Sequence, residues 1–154
     1  RFWKKGQIPE KDENHSIERF FRSAEMINSS DPGSDKNPVD TAFSILKAAE
    51  QDAYKTQWSI VYDIADKTIW FRTGSRHEIR FFSLKSFDFS CHTPVKSLDI
   101  DADLSGDIAD KFIDYDYQMN RDLIRFVFLK TYFTHPAEDL LDLLSKYPES
   151  TLCN

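Results

Sequence analysis

Cysteine and glycine are both scarce in this chain. Its 154 residues include 2 cysteines, Cys91 and Cys153, and 4 glycines. Two cysteines are too few for a disulfide framework or for the usual cysteine-rich zinc site. No basic side chains surround either one to lower its pKa, so we expect two free or partly buried thiols.

Long apolar runs and positive charge are also lacking. No run of about 18 apolar residues occurs, so the sequence predicts no membrane span. The net charge is −6 and lysine and arginine do not cluster, which argues against a nucleic-acid partner. The chain has no glycine-rich phosphate loop and no Gly-x-Ser-x-Gly elbow. Its 13 phenylalanines instead indicate a folded globular protein, and its length of 154 residues fits one domain.

Apolar residues recur at helical spacing near both ends of the sequence. Asn37 and Pro38 are typical of a helix start, as a cap and a first helical residue. Four helices are predicted: from about Ser16 to the loop at Ser29–Ser34, from Asn37 to near Tyr54, from about Tyr117 to His135, and from Ala137 to Tyr147. Their predicted apolar faces include Ile17, Phe20, Phe21 and Ala24 in the first, Phe43 and Leu46 in the second, Leu123, Ile124, Val127 and Phe128 in the third, and Leu140, Leu141 and Leu144 in the fourth.

The middle of the chain has the period-two pattern of β-strands. Trp58, Ile60 and Tyr62 alternate with other residues, and β-branched and aromatic residues fill Thr68–Thr73. A third strand is predicted from Ile79 to Leu84, giving an antiparallel meander, and a further short strand between Pro94 and Ile100. Strands grouped between helices predict the α+β class, with helices packed on an antiparallel sheet.

An acidic loop follows the meander. Asp101, Asp103, Ser105 and Gly106 match the opening positions of an EF-hand calcium loop, but Phe112 stands where the bidentate glutamate is required. We therefore expect a solvated surface loop. The alternative is a weak calcium site that also uses Asp99, Asp107 and Asp110.

Three segments of the chain resemble one known family. The segments Thr56–Asp63, Trp70–Thr73 and Leu84–Pro94 are similar to the C-terminal half of choloylglycine hydrolases, the linear amide C–N hydrolases. The resemblance runs from roughly Ser16 to Phe133. It implies that residues 1–154 are the C-terminal portion of a four-layer αββα fold, that of the N-terminal-nucleophile hydrolases.

The resemblance also implies an activity. These enzymes hydrolyse linear amides with an N-terminal cysteine, whose own amine serves as the base. The implied substrates are conjugated bile acids or, in a sister branch, penicillin V-type acyl amides. Because Arg1 cannot act as that nucleophile, we expect the nucleophile in an N-terminal half outside this chain, and an inactive fragment.

One residue of the family's active site has a counterpart here. Ser16-x-x-Arg19-Phe20-x-Arg22 resembles a family stretch whose first arginine lies close to the nucleophile, which implies that Arg19 is catalytic. A guanidinium there favours the thiolate and holds anionic charge that develops at the attacked amide. From the helical pattern alone, Arg19 is a surface residue whose stem covers apolar neighbours.

The resemblance implies a small-molecule amide substrate, no cofactor, no metal, and a homo-oligomeric full-length protein. No membrane or nucleic-acid partner is expected. A periplasmic or secreted location is slightly favoured over the cytoplasm. The competing hypothesis is a non-enzymatic binding module, calcium-dependent through the acidic loop.

Overall fold

The computed structural model describes residues 15–31, 37–50, 56–91 and 93–150. They divide into two compact units. Unit 1 contains the residues up to Leu84 together with Asp101–Asp107, and unit 2 contains Lys85–Ile100 together with the residues from Ile108 onward. The helices and strands are, in chain order, α1 (His15–Ser29), α2 (Pro38–Ala48), β1 (Trp58–Asp63), β2 (Thr68–Thr73), β3 (Arg80–Ser83), β4 (Lys96–Ser97), β5 (Gly106–Asp107), β6 (Ile113–Asp114), α3 (Tyr117–Tyr132) and α4 (Glu138–Lys146).

Unit 1 contains α1, α2 and the larger sheet. Helix α2 starts as predicted, because the side-chain oxygen of Asn37 accepts a hydrogen bond from the backbone N–H of Val39 at 3.0 Å and Pro38 occupies the first turn. The helix ends at Ala48, before the predicted end near Tyr54, which lies outside the described residues. The described part of α1 also confirms the predicted first helix.

The predicted meander is confirmed. Strands β1 and β2 pair antiparallel with Trp58 opposite Thr73, and β2 pairs antiparallel with β3 so that Trp70 faces Phe81. Strand β5 then joins β3 in parallel, which gives a four-stranded sheet in the order β1-β2-β3-β5. The mixture of helices with a mainly antiparallel sheet confirms the α+β class.

The two faces of this sheet differ in composition. Successive side chains of a strand point to opposite faces. Arg72 marks the helix face, because its guanidinium lies 5.5 Å from the ring centroid of Phe43 in α2 and pairs with Glu50. The opposite side, which we term the far face, contains Trp58, Ile60, Tyr62, Ile69, Phe71, Thr73, Arg80 and Phe82.

The far face is the more apolar of the two. Six of the eight residues just named are aromatic or aliphatic, whereas Ser59, Thr68 and Arg72 lie on the helix face. An antiparallel sheet with one solvated side normally carries polar residues on that side. Here Trp58 and Tyr62 are 59% and 64% exposed. The face opposite α2 therefore has the composition of a covered face.

One end of the far face is buried and contains a charged group. Arg80 is fully buried, and its guanidinium lies 4.6 Å from the ring centroid of Phe71. It also donates to the hydroxyl of Thr73 at 3.4 Å. Stacking on an aromatic face and hydrogen bonding offset the cost of taking the cation out of water.

Unit 2 combines a two-stranded sheet with two antiparallel helices. Strands β4 and β6 pair antiparallel, which confirms only two residues of the strand predicted between Pro94 and Ile100. Asp116 caps α3 by accepting from the backbone N–H of Met119 at 2.6 Å. The helix ends at Tyr132 with Phe133 in the left-handed conformation, a little before the break predicted at His135-Pro136.

The seam between α3 and α4 is polar. Arg121 forms ion pairs with Glu138 and, at 3.7 Å, with Asp142. The hydroxyl of Tyr117 donates to Asp142 in the same seam. Charged and hydroxyl groups therefore join two helices for which the sequence predicted apolar contacts.

Several positions of α3 and α4 that were predicted to be buried are exposed, because charged residues occupy the seam between the helices. Leu141 is fully buried as predicted, but Leu123 and Val127 are exposed, because the ionic partners on α3 lie on the other side of that helix. Leu140 and Leu144 are also exposed. In unit 1, Phe20 of α1 is likewise exposed although its spacing predicted burial.

Candidate functional site: the Arg19 corner

The site predicted at Arg19 lies where α1 meets the end of α2. The Nη1 group of Arg19 donates to the backbone oxygen of Ala49 at 3.1 Å, and its Nη2 group donates to the hydroxyl of Ser16 at 3.2 Å. Ser16 lies three residues earlier on the same helix, so its hydroxyl is on the same face as Arg19. The serine of the Ser-x-x-Arg motif therefore orients the arginine.

The second arginine of the motif lies at the same place. Arg22 donates from Nη1 to the backbone oxygen of Ala48 at 2.9 Å. The last carbonyls of a helix lack partners within it and carry a partial negative charge, which favours guanidinium groups. We term Arg19, Arg22 and the carbonyls of Ala48 and Ala49 the Arg19 corner.

A further ion pair in unit 1 involves the residue after the corner. Glu50 accepts from Nη2 of Arg72 at 3.0 Å, and both side chains are partly buried. Sequence analysis missed this pair. The period-two pattern of β2 was the available signal, since it places Arg72 on one face with Trp70. The ion pair links strand β2 to the segment that contains the carbonyls of the corner.

The corner has a defined chemical capacity. Arginine remains protonated at all physiological pH values and offers five N–H donors in a planar fork. Arg19 is half-buried, and two of its nitrogens are oriented by the bonds to Ser16 and Ala49. Such a guanidinium is suited to stabilise an anion, whether a thiolate or a developing oxyanion. The same bonds also fasten α1 to α2, so Arg19 has a structural role beside any chemical one.

The acidic loop makes specific contacts within unit 1. Ser75 donates to a carboxylate oxygen of Asp101 at 2.5 Å. Arg76 donates to the backbone oxygen of Asp101 at 3.1 Å and pairs with Asp103 at 3.3 Å. Among the described residues, no group of three or more histidine, cysteine or acidic side chains could hold a metal ion.

Cys91 is disulfide-bonded, so the expectation of a free thiol at this position was wrong. Disulfide pairing joins residues distant in sequence, and the spacing of two cysteines does not reveal it. Cys153 lies outside the described residues. A disulfide sulfur cannot act as a thiolate nucleophile. Disulfides persist mainly in oxidising compartments such as the periplasm or the extracellular space.

The titratable groups with shifted pKa values near α4 belong to the polar seam of unit 2. The hydrogen bond from Lys146, together with that from Tyr117, lowers the pKa of Asp142. The bond that Tyr117 donates to Asp142 raises the pKa of the phenol, since it favours the protonated form. The bond from Lys146 lies within α4, whereas the bond from Tyr117 links α3 to α4.

No protein-family model matches the chain, and a search of curated proteins returns no match. In the described part of the chain, no helix is both long enough and apolar enough to cross a membrane.

Proposed function

We propose that this chain is the C-terminal part of a cysteine amidase similar to choloylglycine hydrolases, one that hydrolyses linear amide bonds. The observation that carries the proposal is the arrangement of the Ser16-x-x-Arg19-Phe20-x-Arg22 motif. Its serine orients Arg19, and both of its arginines converge on the end of α2. The motif therefore acts as one structural unit.

The composition of the sheet supports the proposed fold. In a four-layer αββα protein each sheet has helices on one side and the second sheet on the other, so both faces are covered. The far face is apolar although α2 packs on the opposite side, as Trp58 and Tyr62 illustrate. We propose that the second sheet belongs to a part of the protein outside this sequence.

Arg19 is the catalytic residue in this proposal. The nucleophile is a cysteine outside this sequence, consistent with the disulfide bond of Cys91. The thiolate attacks the amide carbon, and the carbonyl oxygen takes up negative charge. Collapse of the intermediate releases the amine, which takes a proton from the α-amino group of the cysteine, and leaves an acyl thioester on the sulfur. Water, deprotonated by the same amine, then hydrolyses the thioester to the carboxylic acid and the free thiol. The guanidinium of Arg19 stabilises the thiolate before attack and the oxyanion afterwards.

The substrate class follows the resemblance. Conjugated bile acids are the first candidate, and penicillin V-type acyl amides are the second. Asp101 and Asp103 have partners in Ser75 and Arg76, so the amidase is a better proposal than a calcium-dependent binding module.

The test uses the longer protein and a matched pair of variants. Arg19→Ala should lower kcat by roughly 100-fold, the effect of losing one transition-state donor. It should also raise the pKa of the nucleophilic thiol, seen as a shift of the alkylation rate to higher pH. Substrates are a glycine-conjugated bile acid and penicillin V.

Arg22→Ala is the control, because it removes an equivalent bond from Arg22 to the end of α2. Both variants should lose about 1 kcal/mol of stability. Only Arg19→Ala should lose turnover and shift the alkylation profile. Equal kinetic losses in both variants would show that Arg19 only fastens α1 to α2.

A further inference from the structure

Helix α3 has an apolar outer surface. Met119, Leu123, Phe126 and Val127 are between 46% and 58% exposed. Their spacing of four, three and one residues places them on one side of the helix, at 3.6 residues per turn. We term these four residues the outer stripe.

The ionic side of α3 lies elsewhere on the helix. Arg121 and Arg125 bind Glu138 of α4, and Tyr117 shares that side. A surface helix normally buries its apolar side and exposes its charges. In α3 the arrangement is reversed, because the charges lie in the seam and the apolar stripe faces outward. Contiguous apolar surface of this kind marks an interaction site.

The charges at the two ends of the stripe suggest its occupant. Leu123 lies seven residues after Asp116 and seven residues before Lys130, and all three fall on the same side of the helix. Both charged side chains are exposed, and the ammonium of Lys130 lies 5.7 Å from the ring centroid of Phe126. The stripe thus has an acid at one end and a base at the other, at equal distances of about 10.5 Å from its centre.

This order of charges is self-complementary. When two copies of α3 pair antiparallel about Leu123, Asp116 of each copy faces Lys130 of the other. Met119 then lies opposite Val127, and the two Leu123 side chains meet on the axis. A two-fold interface joins the same patch on both copies, and opposite charges fix its register.

We propose that the outer stripe of α3 is the surface through which two copies of this chain form a symmetric antiparallel helix pair. The ion pairs between Asp116 and Lys130 at both ends select the antiparallel register over the parallel one, which would bring like charges together. This inference does not depend on the proposed amidase activity.

The first test measures self-association of the 154-residue chain by sedimentation velocity. The wild-type sedimentation coefficient should rise with concentration towards that of a dimer. Leu123→Asp places two like charges on the axis and should raise the dissociation constant by roughly 30-fold or more, as for a central interface residue. Leu143→Asp is the control, since Leu143 of α4 is similarly exposed and outside the stripe, and it should change the constant by less than about 3-fold.

The second test determines whether the two α3 helices pair in the antiparallel register. Lys130→Glu and Asp116→Lys should each weaken self-association, because each places like charges opposite one another. Asp116→Lys also removes the hydrogen bond that caps α3, so Asp116→Asn, which keeps an acceptor for the N–H of Met119, is its control. An equimolar mixture of the two variants should regain dimers, since acids in one copy then face bases in the other. Circular dichroism of each variant alone shows whether α3 is intact.

Three results would overturn the proposal. They are a wild-type chain that stays monomeric at all concentrations, equal weakening by Leu123→Asp and Leu143→Asp, and a mixture of charge variants that does not regain dimers. If the outer stripe binds a segment of another protein and not a second copy, the wild-type chain will stay monomeric.

Discussion

Units 1 and 2 use different forces where their elements meet. In unit 1, helix α2 packs Phe43 against the sheet, and the buried end of the far face stacks Arg80 on Phe71. In unit 2, the seam between α3 and α4 consists of ion pairs centred on Arg121 and Asp142. Aromatic burial stabilises by removing apolar surface from water, whereas exposed ion pairs contribute little each.

The two units nevertheless share one property. Each unit exposes apolar side chains to solvent. In unit 1 these are Trp58 and Tyr62 on the far face, and in unit 2 they are the outer stripe around Leu123. The difference between them is the geometry of the exposed surface, since a sheet face suits a second layer and a helix stripe suits another helix. We therefore infer two different kinds of partner surface.

The strongest test of the comparison is the buried cation of unit 1. Arg80→Ala should lower the free energy of unfolding by about 4 kcal/mol, because it leaves a cavity beside Phe71 and removes the donor to Thr73. All three tryptophans precede residue 84, so tryptophan emission during denaturant unfolding follows unit 1. Arg72→Ala, at a partly exposed ion pair, should cost about 1 kcal/mol. Similar losses in the two variants would mean that burial does not distinguish these arginines.

A smaller effect is expected in the core of unit 2. Leu141 is fully buried, whereas Leu143 on the same helix is 65% exposed. Leu141→Ala should cost about 3 kcal/mol by leaving a cavity, and Leu143→Ala less than about 0.5 kcal/mol. Circular dichroism at 222 nm follows the helices during unfolding. If both variants unfold at the wild-type denaturant concentration, then ionic contacts alone hold α3 on α4.

The smallest effect is the contribution of the Asp142 charge to stability, which depends on pH. The hydrogen bonds from Lys146 and Tyr117 hold the pKa of Asp142 below its ordinary value of about 3.9. The stabilisation is therefore complete above about pH 4 and is lost as the pH falls through the lowered pKa. The melting temperature of Asp142→Asn should lie below that of the wild type at pH 7, and the gap should close as the pH falls below about 4 and through the lowered pKa of Asp142. A gap that stays constant with pH would exclude the Asp142 charge as its cause.

Local signals in the sequence predicted most of the elements. Asn37 and Pro38 mark the start of α2 because capping depends only on neighbouring residues. The meander was predictable for the same reason, since alternation along Trp58–Asp63 is a property of the strand itself.

Contacts between residues distant in the sequence could not be predicted from it. The pattern of α3 shows which residues share a side, but the charge pairs between Arg121 and Glu138, 17 positions apart, decide which side packs. The Arg19 motif located the candidate site, yet its bond to Ala49 spans 30 positions. The disulfide of Cys91 was missed because pairing requires the fold.

The way the backbone passes between the units limits how the protein can be dissected. It leaves unit 1 after Leu84, returns at Asp101, and leaves again after Asp107. A single truncation at Leu84 would delete β5 and remove Asp101 and Asp103, which accept hydrogen bonds from Arg76. Expression of unit 1 on its own therefore requires a chain that ends at Asp107 and carries a short linker in place of residues 85–100.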